Sequence, residues 1–129
     1  MVEEQPVNLA TLTERYADWG AAFISKQTAA KQPWLLYASF NHVHVTNANY
    51  LAALPPPGYS NQQFSSVKFC NSSGRGGTGD AVQELDDAVG KLLAAVHRAG
   101  ADNNTIVFFT SGECTLSQTC QSCDGVGLR

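Results

Sequence analysis

Positive charge is scarce in this sequence. Its 129 residues include 8 lysines and arginines against 11 aspartates and glutamates, which leaves a formal net charge of -3. A protein that binds the phosphate backbone of a nucleic acid needs a surplus of basic side chains on one surface. We therefore expect no nucleic acid partner.

Long apolar segments are also missing. No apolar run approaches the roughly 20 residues that a helix needs to cross a bilayer. Met1 is followed by Val2, Glu3 and Glu4, whereas a secretion signal begins with basic residues and continues with an apolar stretch. We expect the sequence as written to contain neither a membrane span nor a signal peptide.

Cysteine is absent from the first half of the chain. The four cysteines are Cys70, Cys114, Cys120 and Cys123. The last two have the spacing of half a zinc site or of a redox pair, but a second pair of metal ligands and the strand-to-helix turn of a redox motif are both missing. Neither role is predicted.

The composition allows one ordinary hydrophobic core, because 43% of the residues are hydrophobic and 15% are charged. A first helix is predicted over about residues 9–29, since four apolar residues follow the spacing of one helix face. These residues are Leu12, Tyr16, Trp19 and Phe23. Thr11 and Glu14 have the spacing of a capping box at its start.

A second helix is predicted to begin at Asp80 and to end just before Gly100, which suits the left-handed position after a helix. The apolar residues of its stripe are Val82, Leu85, Val89, Leu92 and Val96. Asp87 and Lys91 are spaced to form an ion pair on the helix surface.

Two short apolar segments, 34–40 and 105–110, predict buried strands. The order helix, strand, long loop, helix, strand is that of a crossover unit, so we expect an α/β fold in which the two strands are parallel. Sites in such folds gather beyond the carboxyl ends of the strands. These ends are residues 41–45 and 111–114.

Two imidazoles follow the first predicted strand, in Asn41-His42-Val43-His44. If the extended conformation continues, their side chains project to opposite sides and only one faces a given site. An imidazole there could donate to an anion, shuttle a proton or bind a metal. Polar capping of the strand end is an alternative that the spacing leaves open.

The glycine-rich segment 74–79 and the acidic residues of the second helix have simple structural explanations. The segment matches the letters of a dinucleotide-binding loop, but no strand leads into it and no acidic residue ends the next strand. We expect a flexible entry to the helix.

The acidic residues of the second helix, Glu84, Asp86 and Asp87, are expected on the solvated face, opposite the apolar stripe.

Five stretches follow one another in an order that resembles the sulfatase family, and the arylsulfatase A group above all. They are QPWLLYASFNHVH at 32–44, SGRG at 73–76, GD at 79–80, ELD at 84–86 and NTIVFFTS at 104–111. The resemblance covers about residues 3–111 and is most specific from Gln32 onward.

The resemblance implies an alkaline-phosphatase-like α/β sandwich, in which a formylglycine made from a cysteine attacks sulfur and calcium steadies the sulfate oxygens. Residues 1–111 would be the central part of an incomplete N-terminal catalytic domain, and residues 112–129 a divergent, cysteine-rich tail. The complete enzyme is expected to hydrolyse a small-molecule, glycan or lipid sulfate ester and to be lysosomal or secreted.

One catalytic residue, His44, is implied by the same resemblance. The second histidine of the family's motif contacts the sulfate end of the substrate, and it falls on this position. Its expected role is hydrogen bonding or proton transfer at the sulfate ester. Asn41 and His42 match the motif, but the resemblance implies no role for either.

Two departures from the family put catalysis by this chain in doubt. The family's cysteine lies in a Cys-x-Pro-Ser-Arg or similar motif upstream of the histidine, whereas no cysteine precedes His44, and Cys70 follows it. The family's second strand leads into Asp-Asn-Gly, whose first two residues bind the metal, whereas Ser111 is followed by Gly112 and Glu113. We therefore expect both sites to be incomplete and the chain alone to be inactive.

Two alternatives remain. The chain could be a noncatalytic α/β binding or interaction module derived from a sulfatase, or a nucleotide-binding crossover unit that uses the glycine cluster. Residues 46–63, which include three prolines, look like an insertion relative to the family and are expected to form a solvated surface loop.

Overall fold

The computed structural model describes residues 9–44, 66, 68–70 and 72–111. Its elements in chain order are a 3-10 turn Leu9–Thr11, helix α1 Leu12–Ala29, helix α2 Gly76–Arg98 and a second 3-10 turn Asp102–Asn104. Neither helix has the length and apolar character needed to cross a membrane. The insertion predicted at 46–63 and the tail at 112–129 lie outside the described residues.

Helix α1 confirms the first predicted helix, but not its capping box. Thr11 occupies the N-cap position and makes no side-chain cap hydrogen bond. The carboxylate of Glu14 instead lies 3.4 Å from the Lys91 Nζ of α2. An interaction between helices has therefore replaced the local one that the spacing predicts.

Helix α2 begins at Gly76, so the prediction that Asp80 opens it is wrong. The Asp80 carboxylate is buried and accepts the backbone N–H of Ser73, at 2.9 Å. The chain folds back closely here, because a Cβ on Gly79 would lie 2.6 Å from both Arg75 Cβ and Ser73 Oγ. Most of the glycine cluster is thus the first turn of a helix and not a loop around a nucleotide.

The end of α2 agrees with the sequence. Gly100 has a φ of 68°, in the left-handed region that glycine adopts without strain. The N–H of Ala101 donates to the Val96 carbonyl at 3.1 Å, and the N–H of Gly100 donates to the His97 carbonyl at 2.9 Å. These bonds satisfy carbonyls that the helix end would otherwise leave unpaired.

Most of the buried residues of the two helices have small side chains. The buried residues of α1 are Leu12, Thr13, Ala17, Gly20 and Ile24, and the buried apolar residues of α2 are Ala81, Ala88, Ala95 and Val96. The predicted stripes therefore do not coincide with the buried faces: Trp19 is half-exposed and Val82 is exposed. Small residues let the helix backbones approach closely, and the larger side chains flank the contact.

The apolar segment after α1 packs along the helix pair. Trp34 and Leu36 contact the core cluster of Ile24, Ala95, Val96 and Ala101. The aromatic rings of α1 meet the same segment, since Phe23 lies 6.4 Å from Trp34 and Tyr16 lies 6.3 Å from Phe40, both edge to face. The aromatic side chains of the predicted α1 stripe thus hold the segment that leads into the histidine motif.

The two predicted strands are not paired in the structure. Neither 34–40 nor 105–110 forms a strand, and several of their large side chains are exposed: Leu35 at 88%, Tyr37 at 87% and Phe108 at 89%. The expectation of burial on both faces is therefore wrong for this chain. A strand needs backbone partners at its edges and a layer on each face, and the described residues supply a layer on one face of 34–40 only. The parallel arrangement stays a prediction.

Replacing Gly20 by alanine tests the close approach of the helices. A Cβ there would lie 2.6 Å from Leu92 Cδ2 and 3.3 Å from Leu36 Cδ2. We expect Gly20→Ala to lower the free energy of unfolding by about 1 kcal/mol, because overpacking outweighs the gain in helix propensity. Gly90→Ala is the matched control, since nothing lies within 4 Å of its Cβ position. Urea unfolding followed by circular dichroism should show the control stabilised by about 1 kcal/mol; equal stabilisation by both substitutions would contradict the packing.

The ion pairs of Lys91 predict a stability that depends on pH. Desolvation lowers the pKa of Lys91, but hydrogen bonds to Glu14 and Asp18 and the charges of these carboxylates outweigh it and raise the pKa above 10.5. Because the pKa is higher in the folded state, the stabilisation is complete below the unfolded-state value and is lost as the pH rises through the folded-state value.

We expect Lys91→Gln to lower the free energy of unfolding at neutral pH and low salt by about 0.5 kcal/mol, a value suited to a partly exposed pair at 3.4 Å. The loss should shrink in concentrated salt. It should vanish in a background of Glu14→Gln and Asp18→Asn. A loss that persists in that background would show that the ion pairs are not its cause.

Candidate functional site

The histidine motif forms a turn at the end of the extended segment. The N–H of His44 donates to the carbonyl of Asn41 at 2.9 Å, which closes a four-residue β-turn. The prediction that the extended conformation continues through the motif is therefore wrong. His42 and Val43 are the two central residues of the turn, and His44 ends it.

The two imidazoles have different surroundings. The His42 side chain is 6% exposed, and its Nε2 lies 3.2 Å from Oε2 of Glu84, whose side chain is 3% exposed. His44 is exposed. The expectation that only one histidine of the motif faces a given site stays a prediction; the structure shows that His42 is buried against Glu84 and that His44 is exposed.

The Glu84 carboxylate binds two distant parts of the chain through one oxygen. Oε2 accepts the backbone N–H of Ser66 at 2.8 Å as well as the ring N–H of His42. An ionised carboxylate only accepts hydrogen bonds, so the contact with Glu84 assigns a proton to Nε2 of His42. The ends of the intervening segment, at His42 and Ser66, are thus held at the same point of α2.

The expectation that the helix carboxylates are solvated is wrong for Glu84. Asp86 is exposed, as predicted. Asp87 is partly exposed and lies 3.4 Å from Lys68, so its predicted partner Lys91 is also wrong. Sequence periodicity places polar residues on the solvated face by default, and it could not reveal that His42 and Ser66 approach α2 at Glu84.

The described residues do not fit the calcium site that the family resemblance implies. Within 9–44, 66, 68–70 and 72–111, no three His, Cys, Asp or Glu side chains converge as a metal site requires. Oxygen ligands in greater number are what calcium needs. Gly112 and Glu113, which stand in place of the family's Asp-Asn pair, lie outside the described residues.

The first cysteine of the chain lies in a turn before α2. Cys70 is half-buried with a free thiol, and its N–H donates to the carbonyl of Ser66 at 3.1 Å. Cys70 follows His44 in the chain, whereas the family's cysteine precedes the histidine, so we do not assign Cys70 the role of the nucleophile.

Known sulfatases are similar to this chain over most of its length. A sequence model of the family described as Sulfatase matches residues 1–116. N-acetylgalactosamine-6-sulfatase of Rattus norvegicus is 38% identical over 113 residues, which cover 84% of the chain and 18% of that protein. Arylsulfatase A of Bos taurus is 33% identical over 127 residues, covering 97% and 22%. Steryl-sulfatase of Rattus norvegicus is 34% identical over 110 residues, covering 85% and 16%.

The chain thus spans about a fifth of the length of these relatives or less. No solved structure matches it. The family match extends over most of the chain, and the three relatives exceed 30% identity across more than four fifths of it. Membership of this family implies an alkaline-phosphatase-like α/β fold. The chain belongs to the sulfatase family.

Proposed function

We propose that this chain is part of the catalytic domain of a sulfuric ester hydrolase of the arylsulfatase type, in which His44 contacts the sulfate ester. The observation that carries the proposal is the division of the motif's two imidazoles. His42 is committed to Glu84 inside the protein, whereas His44 is exposed at the end of a turn that packed aromatic residues and a buried pair hold in place.

An imidazole at position 44 offers two kinds of assistance to ester hydrolysis. Its N–H can donate to a sulfate oxygen and stabilise negative charge that accumulates in the transition state. As a protonated ring, it can transfer a proton to the departing oxygen. Both roles suit a histidine, whose charge changes near neutral pH.

We propose that the reaction also needs groups from other parts of the complete enzyme. No cysteine precedes His44 to supply the formylglycine, and the described residues do not assemble a calcium site. A lone general acid contributes typically about 10²–10⁴-fold, far below what an enzyme supplies in total. We propose that the calcium and formylglycine of the complete enzyme come from other parts of its sequence.

The purified 129-residue chain should therefore show no hydrolysis of 4-nitrophenyl sulfate above the background rate, with or without calcium. The expected result follows from the missing nucleophile. A bovine arylsulfatase A preparation measured in parallel controls the assay. Calcium-dependent turnover by the chain alone would refute its inactivity.

A graft tests the role of His44. Residues 32–111 of this chain would replace the matching segment of bovine arylsulfatase A, and grafts that melt as the parent does would be assayed. We expect His44→Gln in the graft to lower kcat by about 10²–10⁴-fold. If the ring protonates the leaving group, the loss should be larger for an alkyl sulfate than for 4-nitrophenyl sulfate, whose phenolate departs without a proton.

The graft also distinguishes the enzyme from the noncatalytic module. A folded graft that is inactive with His44 intact would favour a module that has kept the fold and lost the chemistry. A folded graft whose activity is unchanged by His44→Gln would refute the assignment of His44.

The remaining proposals rest on the sulfatase relationship alone. We propose that residues 1–111 belong to the catalytic domain and that residues 112–129 diverge from the family. The substrate would be a small-molecule, glycan or lipid sulfate ester. A lysosomal or secreted location is proposed for the complete enzyme.

A further inference from the structure

The turn that carries His44 is attached to both helices. On its N-terminal side, Phe40 packs edge to face on Tyr16 of α1 with a centroid distance of 6.3 Å. Within the turn, the ring of His42 reaches Glu84 of α2 at 3.2 Å. The closing hydrogen bond, from His44 N–H to the Asn41 carbonyl, then connects the attached part of the turn to His44 itself.

Glu84 is a rigid point of attachment. It lies between Ala81 and Ala88 on one face of α2, and both alanines are buried. The side chain is 3% exposed, so water does not compete for its hydrogen bonds. Buried polar groups with satisfied partners specify one arrangement strongly, because any displacement leaves a donor or an acceptor unpaired.

We propose that His42 and Glu84 are positioning residues, which hold the turn 41–44 on α2 and so set the location of the exposed His44 imidazole. The inference rests on the proposed function in taking His44 as the group at the sulfate ester. A misplacement of about 1 Å in a catalytic group costs as much as 10²-fold in rate, so an exposed imidazole gains from a fixed backbone beneath it.

The hydrogen bond from Ser66 to Glu84 means that the Glu84 carboxylate holds more of the chain than the His42 ring does. Because Ser66 N–H and His42 Nε2–H share Oε2 of Glu84, loss of that carboxylate releases two chain segments, whereas loss of the His42 ring releases only the turn. Substitutions at the two positions should therefore have overlapping but unequal effects. A salt bridge that only adds to global stability would instead affect all parts of the fold in proportion.

The experiment is amide hydrogen exchange of the full chain by NMR. Glu84→Gln removes the buried negative charge, and Asp86→Asn is the matched control, with the same change at an exposed position of the same helix. We expect Glu84→Gln to accelerate exchange of the His44 N–H about tenfold relative to core amides such as those of Ile24 and Ala95, since hydrogen bonds to charged groups are the stronger kind. Asp86→Asn should leave this ratio unchanged.

Two substitutions at His42 separate positioning from packing. His42→Leu fills the space but removes the donor, and it should raise the same exchange ratio about tenfold. His42→Gln retains an N–H donor and should restore most of the protection. The proposal would be overturned if, in both Glu84→Gln and His42→Leu, the exchange rate of the His44 N–H rose only as much as that of the core amides.

A second measurement connects positioning to function. Phenyl sulfate would be titrated into the chain while the ring signals of His44 are observed. We expect a shift of these signals in the unsubstituted chain and about tenfold weaker binding in His42→Leu, with binding regained in His42→Gln. Equal affinities in the unsubstituted chain and His42→Leu would overturn the positioning role. No shift in the unsubstituted chain would leave the graft as the test of the contact between His44 and sulfate esters, and the exchange ratios alone would then decide the positioning role.

Discussion

A single buried carboxylate oxygen sets the geometry of the candidate site. Oε2 of Glu84 accepts one hydrogen bond from the His42 ring and one from the Ser66 backbone, in surroundings from which water is largely excluded. Removing a carboxylate from water is costly unless its partners are in place. Displacement of the turn 41–44 or of Ser66 from α2 would therefore leave this buried carboxylate without one of its partners.

The rest of the described structure provides the frame for that oxygen. Small residues allow α1 and α2 to pack closely, which is why Gly20 comes so near Leu92. Two aromatic side chains of α1, Tyr16 and Phe23, pack against Phe40 and Trp34 of the segment 34–40. That segment delivers the histidine motif to α2, where one imidazole becomes internal and the other remains exposed. The difference in burial between His42 and His44 thus accompanies the contact of His42 with Glu84.

Local sequence signals predicted the extent of α1 and the end of α2, but not the N-cap of α1 or the start of α2. The extent of α1 and the end of α2 at Gly100 were accessible because spacing and glycine chemistry act within a few residues. The burial of Glu84 was not, because its partners His42 and Ser66 are distant in sequence. The buried faces were also displaced from the predicted stripes, since large apolar residues dominate a periodicity while small ones allow close packing. The motif around His44 identified the family, but spacing alone could not separate its two histidines.

The ring N–H of His42 reports whether the bond to Glu84 is closed to water. In a long-range ¹⁵N–¹H correlation spectrum, a proton on Nε2 of His42 that exchanges slowly with water is expected, because the bond to Glu84 is buried. His97 provides the internal reference, since it lies 3.1 Å from Asp102 but its side chain is 81% exposed. A slowly exchanging Nε2–H at His42 alone would support the account. A His42 ring proton that exchanges as fast as that of His97 would contradict it.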